Sequence, residues 1–270
     1  MLVLIRGGGD LASGVALRLQ RAGLRVVICE LPQPLAVRRT VAFAEAIYAG
    51  QSTIEGLSAS VVRDPSDIML VLNILARQMV PVLVDPECTC AGLLHPPVIV
   101  DARMTKRPPE RIGYAPQLYL GLGPGFIAGE NCQGVVETRR GHSLGRVLWH
   151  GAPDPDTGQP DPVHGEQSER VLRAPADGEL VARAELGTHI EAGQVIAEVA
   201  GQPITAAFPG VLRGLIHPGL NVTKGLKIGD LDPRDDPSLC TLVSDKALAV
   251  GGGVLEAILS KPELRPEMWT

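Results

Sequence analysis

The sequence predicts an α/β fold in which a parallel-sheet domain is followed by a small all-β domain and a C-terminal helix. Residues 1–30 follow the order strand, glycine turn, helix, strand, which is the pattern of a βαβ unit and of a parallel sheet. Residues 176–199 and 208–231 match each other at a constant offset of 32 positions. Their alternating apolar residues and glycine turns favour two similar hairpin units. The Pro-, Gly- and Asp-rich stretch 151–162 indicates a boundary between the two halves.

These patterns divide the 270 residues into four predicted segments. The first domain spans 1–150, a linker spans 151–169, and the two-repeat β domain spans 170–235. The last segment, 236–270, is predicted to hold a helix that packs back on the first domain. Three consecutive glycines in it, 251–253, indicate either close packing against another backbone or a break.

Composition argues against several classes of protein. An apolar content of 45% argues against global disorder, and a net charge of −5 without a basic block argues against a nucleic-acid partner. No apolar run approaches the roughly 20 residues that span a bilayer, and no secretory signal precedes the first strand. The cysteines are odd in number and scattered. We therefore expect a cytoplasmic protein with no membrane partner and no disulfide framework.

The first βαβ unit carries a candidate ligand loop. Its strand, helix and second strand are predicted over residues 1–6, 11–22 and 25–30. The turn at 7–12 fits the looser G-x-G-x-x-A form of the dinucleotide-binding fingerprint. Glu30 follows about 20 residues later, where an acidic residue accepts a hydrogen bond from a ribose hydroxyl. The first domain is therefore predicted to be Rossmann-like.

The glycine turn has two interpretations at this point, a phosphate-binding loop and a tight strand-to-helix turn. Gly7, Gly8 and Gly9 allow backbone N–H groups to approach an anion, and the following helix N-terminus adds a favourable dipole. Asp10 would cap the helix or help to hold a metal, but its charge would lie near any bound phosphate.

Two arginines are candidates for neutralising a phosphate. Arg38 and Arg39 lie at the start of a helix predicted over 37–50. Guanidinium groups match phosphate oxygens in a forked geometry, so these residues would form a clamp beside the glycine turn. The alternative is an ordinary solvated helix start.

Further polar residues follow predicted strands. Two such strands end in aspartates, Asp85 and Asp101, and the carboxyl ends of parallel strands are where these sheets bind ligands. The candidates for the opposite side of a ligand are Asp101, Arg103, Lys106 and His142. The alternative is that these residues occupy ordinary polar loops.

The pair Cys88-x-Cys90 lies in the loop after Asp85. A single C-x-C without a neighbouring His or second cysteine pair is a weak metal signal, so no metal site is predicted. A reactive thiol and a structural thiol are the remaining interpretations.

The second half resembles the barrel-sandwich of biotinyl and lipoyl carrier domains. The resemblance rests on PADGELV, GTHIEAGQVIAEV and FPGVLRGLI. In those carriers a lysine between the two halves receives the cofactor, but the linker here, 200–203, contains no lysine. The departure implies a structural or docking module rather than a swinging carrier.

The whole chain resembles accessory proteins of selenium-dependent molybdenum hydroxylases. The matching motifs are RGGGDLASGVALRL, PLAVRRTVAFAEAIYAG, DARMTKR, GLGPGFIAGENC, VVETRRGHSLGRV and KGLKIGDLDPR. This resemblance implies a maturation factor that binds a molybdopterin-type cofactor, another phosphorylated pterin or a nucleotide, and that docks on the apo-hydroxylase. It also implies that the three glycines bind phosphate and that Cys88 or Cys90 carries a chalcogen.

Two other functions stay open from the sequence. An NAD(P)-dependent oxidoreductase is compatible with the fingerprint, and a non-catalytic scaffold is compatible with a purely structural turn. A homo-oligomer is compatible with each of the three.

Overall fold

The computed structural model describes residues 1–110, 112–156, 158, 166 and 168–267. The chain forms two compact units. Unit 1 comprises Met1–Pro34, Ala42–Asp156 and Val243–Thr270, and unit 2 comprises Leu35–Val41 and Thr157–Leu242. The short segment Leu35–Val41 therefore belongs to unit 2, although the sequence placed it inside the first domain.

Unit 1 is a nine-stranded sheet with helices. Its strands are β1 (Leu2–Arg6), β2 (Arg25–Glu30), β3 (Gln51–Ile54), β4 (Leu57–Val62), β5 (Val80–Val84), β6 (Val98–Asp101), β7 (Leu118–Leu122), β8 (Gly134–Val136) and β9 (Val147–Leu148). Its α-helices are α1 (Asp10–Arg21), α2 (Ala46–Ala49), α3 (Ile68–Ala76), α4 (Ala91–Leu94) and α5 (Asp245–Leu259).

The strand order is β3-β4-β5-β2-β1-β6-β7-β8-β9. Neighbouring strands from β4 through β8 in this order are parallel, and only the pairs β3–β4 and β8–β9 are antiparallel. Leu4 of β1 lies opposite Val27 on one side and Ile99 on the other, and all three are buried. The predicted mixed α/β fold with a largely parallel sheet and a C-terminal helix is confirmed at this level.

The C-terminal glycines serve close packing. Helix α5 runs through them without a break. A Cβ on Gly251 would lie 2.8 Å from the carbonyl oxygen of Gly14 in α1, and a Cβ on Gly14 would lie 2.7 Å from Ala247. Because neither position has room for a side chain, the two helices approach backbone to backbone.

One predicted helix differs from the structure. Residues 37–50 form two 3₁₀ turns, Arg39–Val41 and Phe43–Glu45, and then α2. A continuous helix does not form because the unit boundary falls at Ala42, whose backbone is extended with φ −125°. Helix α3 buries one face through Val71, Ile74 and Leu75, and Met69 is 69% exposed.

Unit 2 consists of two four-stranded antiparallel sheets. Its strands are β10 (Val171–Arg173), β11 (Gly178–Ala182), β12 (His189–Ile190), β13 (Val195–Val199), β14 (Gln202–Thr205), β15 (Gly210–Leu215), β16 (Asn221–Val222) and β17 (Lys227–Asp232). The sheet orders are β10-β17-β15-β12 and β14-β13-β11-β16. The short strand of each sequence repeat pairs with the other repeat, since β12 pairs with β15 and β16 pairs with β11.

Among the described residues, no helix combines the length and the apolar content needed to cross a membrane.

Candidate functional site

Four strands of unit 1 end beside one another at one edge of the sheet, which we call the carboxyl edge. Arg6, Glu30 and Asp101 are the last residues of β1, β2 and β6, and Asp85 directly follows β5. These strands are parallel neighbours in the order β5-β2-β1-β6. The edge therefore gathers polar residues that are distant in sequence, which is where open parallel sheets bind their ligands.

Gly7 and Gly8 are required by the protein's own structure. Gly7 has a φ of +91°, and its N–H donates to the carbonyl of Cys29 at 2.8 Å. The N–H of Gly8 donates to Oε2 of Glu30 at 2.6 Å, and a Cβ on Gly8 would lie 3.0 Å from the backbone nitrogen of Ala44. These two amides are thus occupied by protein acceptors, contrary to their predicted role as free phosphate donors.

Gly9 differs from both of its neighbours. Its φ of −67° is accessible to any residue, and a Cβ built there meets no atom within 4 Å. No described residue accepts a hydrogen bond from its N–H. Gly9 is half-buried and lies at the N-cap of α1, where the first amides of a helix point outward. Nothing in the described structure requires glycine at this position.

Two acidic groups flank the loop. Glu30 accepts from the N–H groups of Gly8 and Leu31, and burial raises the pKa of its carboxyl despite these two hydrogen bonds. Asp10 was predicted to cap α1, but Gly9 occupies the N-cap and Asp10 is the first residue of the helix. A bound phosphate would therefore approach an edge that already carries carboxylates.

A buried arginine–aspartate network follows next to the loop. Nη1 of Arg6 lies 3.0 Å from Oδ2 of Asp101 and 3.2 Å from the hydroxyl of Tyr119. Arg103 donates to both oxygens of Asp101 and to Glu110. The structure brings Asp101 and Arg103 together as predicted. The two side chains form an ion pair with each other. Sequence reasoning missed Arg6 and Tyr119, because both lie inside apolar strands.

Lys106 and His142 do not join this network among the described contacts. Nζ of Lys106 pairs with Asp156 at 2.7 Å, and both side chains are exposed. His142 is exposed, and its backbone carbonyl accepts from Nε of Arg146. Neither residue is grouped with Asp101 on a common wall as the sequence analysis predicted.

Arg38 and Arg39 belong to unit 2. Nη2 of Arg38 donates to the carbonyls of Leu239 and Leu242, at 3.0 and 3.1 Å, and Nε of Arg39 donates to the carbonyl of Leu215 at 2.8 Å. Their predicted role as a phosphate clamp is replaced by a structural one, because these guanidinium donors secure the segment 35–41 to the backbone of unit 2.

A cluster of thiols completes the carboxyl edge. We define it as Cys29, Cys88, Cys90 and Asp85, each of which is buried. The sulfur atoms of Cys29 and Cys90 lie 3.3 Å apart, and Oδ2 of Asp85 lies 3.8 Å from the Cys29 sulfur. Hydrogen bonds from Cys29 and Cys90 lower the pKa of the Cys88 thiol, and the hydrogen bond to Cys88 raises that of Cys29.

The chain is similar in sequence to a known protein of unassigned function. No protein-family model matches the chain. The chain is 44% identical over 259 residues to the uncharacterized protein YqeB of Escherichia coli (strain K12). The match covers 96% of this chain but 47% of YqeB, so the chain spans about half the length of this relative.

Two solved structures are weakly similar to the chain. An aspartoacylase family protein from Mesorhizobium loti is 10% identical, with a TM-score of 0.27 over 85% of this chain and 83% of that protein. The ectoine utilization protein EutE (DoeB) from Ruegeria pomeroyi is 10% identical, with a TM-score of 0.23 over 85% of this chain and 56% of that protein. At such low TM-scores neither similarity supports a conclusion about this chain.

Proposed function

We propose that this chain is an accessory factor in the maturation of a selenium-dependent molybdenum hydroxylase, and that it binds a phosphorylated pterin or a nucleotide at the carboxyl edge. The observation that carries the proposal is Gly9. Its backbone is unstrained and its Cβ position is open, so the described protein atoms give no reason for a glycine. A ligand that lies against the backbone at this point supplies one.

The N-terminus of α1 at Gly9 favours an anionic group on the ligand, although the carboxylates of Asp10 and Glu30 lie beside the loop. Gly9 is the N-cap of α1, a helix of 12 residues. The dipole of this helix favours negative charge at its N-terminus. Since the amides of Gly7 and Gly8 already donate to protein oxygens, we place the phosphate one residue further along than the sequence suggested. A cationic residue, Arg103, lies against the loop, since a Cβ on Gly7 would be 3.2 Å from the Cα and 3.3 Å from the Cγ of Arg103.

The strand order supports the Rossmann-like interpretation of unit 1. From the central strand β1 the chain first adds β2 and later β6 on the opposite side. In doubly wound sheets the ligand lies outside the carboxyl ends of the strands where the order reverses. The glycine loop leaves β1 at that point, so a phosphorylated ligand there would contact both halves of the sheet.

Docking on an apo-hydroxylase is the second part of the proposal. Unit 2, which we interpret as a barrel-sandwich without an attachment lysine, is suited to a docking role. In unit 1, helix α3 exposes a second candidate docking surface, Met69, Leu70 and Leu72. Adjacent exposed apolar side chains are typical of protein-binding surfaces. The five cysteines are all free thiols, as suits the reducing cytoplasm in which we place this activity.

A binding screen tests the proposal. The purified chain is heated with nucleoside triphosphates, NAD(P)H and a phosphorylated pterin in separate samples. A ligand at ten times its dissociation constant should add about 1.4 kcal/mol to the free energy of unfolding. Stabilisation by the pterin or by a nucleoside triphosphate supports the maturation role. Binding of NAD(P)H alone would instead support an oxidoreductase, and no stabilisation by any of them would support a scaffold.

A variant pair makes the screen specific for the loop. Gly9→Val is expected to abolish binding while leaving the fold intact, because its side chain would fill the open space against the backbone. Gly252→Ala is the matched control, since its Cβ position in α5 is also free of neighbours. The control should bind like the parent chain. Unchanged affinity in Gly9→Val would contradict the proposed ligand position.

A further inference from the structure

The thiol cluster is not used by the proposed phosphate site, and its composition has a chemistry of its own. All four members of the cluster are buried, with exposed fractions of 4% for Cys29, 3% for Cys88, 0% for Cys90 and 3% for Asp85. The ligand atoms of Cys29, Asp85 and Cys90 all lie within 4.8 Å of one another. Thiolate sulfur is the preferred donor for thiophilic cations such as Zn²⁺.

The loop that carries the cluster is held by its own hydrogen bonds. Oδ1 of Asp85 accepts from the N–H and hydroxyl of Thr89, both at 2.9 Å, and Oδ2 accepts from the N–H of Cys90 at 2.8 Å. Cys88 has a φ of +60°, a conformation that non-glycine residues rarely adopt. The backbone therefore fixes two thiols of this loop against the third, which comes from β2.

The cluster contains negative charge that a cation would neutralise. Within the described part of the chain Asp85 has no ion pair, although it is almost fully buried. A buried carboxylate is costly unless a positive charge compensates it.

The sulfur geometry is close to that of a bound metal. Two sulfurs bound tetrahedrally at about 2.3 Å from Zn²⁺ lie about 3.8 Å apart. Cys29 and Cys90 are separated by 3.3 Å, so binding requires them to move apart by about half an ångström. We propose that Cys29, Cys90 and Asp85 form a site for one thiophilic cation of the Zn²⁺ class. This site does not depend on a ligand at Gly9.

The test uses the full chain, reduced and stripped of metal under anaerobic conditions. Co²⁺ is added as a spectroscopic probe, and Zn²⁺ is then titrated against a chromophoric chelator. One cation per chain and a thiolate-to-cobalt charge-transfer band are expected, and Zn²⁺ should displace the cobalt. The absence of that band together with no Zn²⁺ uptake by the parent chain would overturn the proposal.

Cysteine variants identify the ligands. Cys29→Ser and Cys90→Ser should each weaken Zn²⁺ binding at least tenfold and reduce the cobalt band. Cys132→Ser is the matched control, since Cys132 is a buried cysteine of unit 1 outside the cluster, and it should bind Zn²⁺ like the parent. Equal binding by the parent, Cys29→Ser and Cys90→Ser would overturn the assignment.

A measurement on the parent chain covers the case in which a serine variant does not fold. Mass spectrometry after alkylation in low denaturant should show that Zn²⁺ slows modification of Cys29 and Cys90 relative to Cys240. Equal modification rates with and without Zn²⁺ would overturn the site.

Discussion

The glycine loop after β1 and the cysteine loop after β5 lie at the same edge of the sheet, and each is closed by a carboxylate that accepts two backbone N–H groups. Glu30 accepts from Gly8 and Leu31, and Asp85 accepts from Thr89 and Cys90. Their pKa shifts are nevertheless opposite. Burial raises the pKa of Glu30, whereas at Asp85 additional hydrogen bonds from the Thr89 hydroxyl and the Cys90 thiol outweigh burial and lower it.

The comparison distinguishes residues that hold the backbone of a loop in place from residues that the loop backbone does not require. In the glycine loop, Gly7 and Gly8 are fixed by contacts and by backbone conformation, and Gly9 has neither constraint. In the cysteine loop, Asp85 fixes the backbone through the N–H groups of Thr89 and Cys90, and the Cys29 thiol contacts both Asp85 and the Cys90 thiol. We propose ligands for residues of the second kind: a phosphate at Gly9 and a thiophilic cation at the sulfurs of the thiol cluster.

The largest expected effect comes from a residue that builds the glycine loop. Gly8→Val should lower the free energy of unfolding by about 3 kcal/mol, because its Cβ alone would lie 3.0 Å from the nitrogen of Ala44. Chemical denaturation measures this loss. A change below about 0.5 kcal/mol would show that the loop backbone is free to move and that the distinction from Gly9 does not hold.

The corresponding change in the cysteine loop is Asp85→Asn. It should cost about 2 kcal/mol at neutral pH, because the amide offers fewer acceptor sites to the N–H groups of Thr89 and Cys90. The lowered pKa of Asp85 gives the sign of the pH dependence. The cost should be complete above about pH 4 and should shrink as pH falls through the lowered pKa. A cost that stays constant down to acid pH would contradict this account.

Glu30→Gln should show the opposite pH dependence. A raised pKa means that folding favours the protonated Glu30 carboxyl, so its stabilising contribution is present below about pH 4 and is lost as pH rises through the raised value. The parent chain should therefore lose stability relative to Glu30→Gln as pH rises from about 4 through the raised pKa of Glu30. Denaturation curves of both proteins across this range measure the difference. If the difference grows in favour of the parent, burial does not dominate at Glu30.

The smallest expected effect on stability is at Gly9. Gly9→Ala should change the free energy of unfolding by less than about 0.5 kcal/mol, because its φ suits alanine and its Cβ meets nothing. Thermal unfolding without ligand checks this. A loss as large as that of Gly8→Val would mean that protein atoms, rather than a ligand, require glycine at this position.

Local pattern was sufficient to predict the first βαβ unit and the repeat. The predicted strand 1–6, helix 11–22 and strand 25–30 agree closely with β1, α1 and β2. The offset of 32 holds in the structure, since β11 begins at Gly178 and β15 at Gly210. Both features depend on neighbours in sequence, where apolar period and glycine position carry the information.

The contacts of the candidate site depend on tertiary structure. Arg6 and Asp101 are separated by 95 positions and Cys29 and Cys90 by 61, so no local spacing reveals either pair. Cys88-x-Cys90 alone offers too few ligands to predict a metal site. The third sulfur of the thiol cluster belongs to Cys29 on the neighbouring strand β2. Likewise, the assignment of Arg38 to unit 2 follows from a chain crossing that its local sequence does not mark.

The most direct test of the central claim measures the three glycine amides separately. The ¹⁵N-labelled chain is titrated with inorganic pyrophosphate, a probe for the phosphate groups that phosphorylated pterin and nucleotide ligands share. The Gly9 amide should show the largest chemical-shift change, and the Gly7 and Gly8 amides should move little because they already donate to Cys29 and Glu30. A Gly9 resonance that stays in place at saturating pyrophosphate would contradict the account.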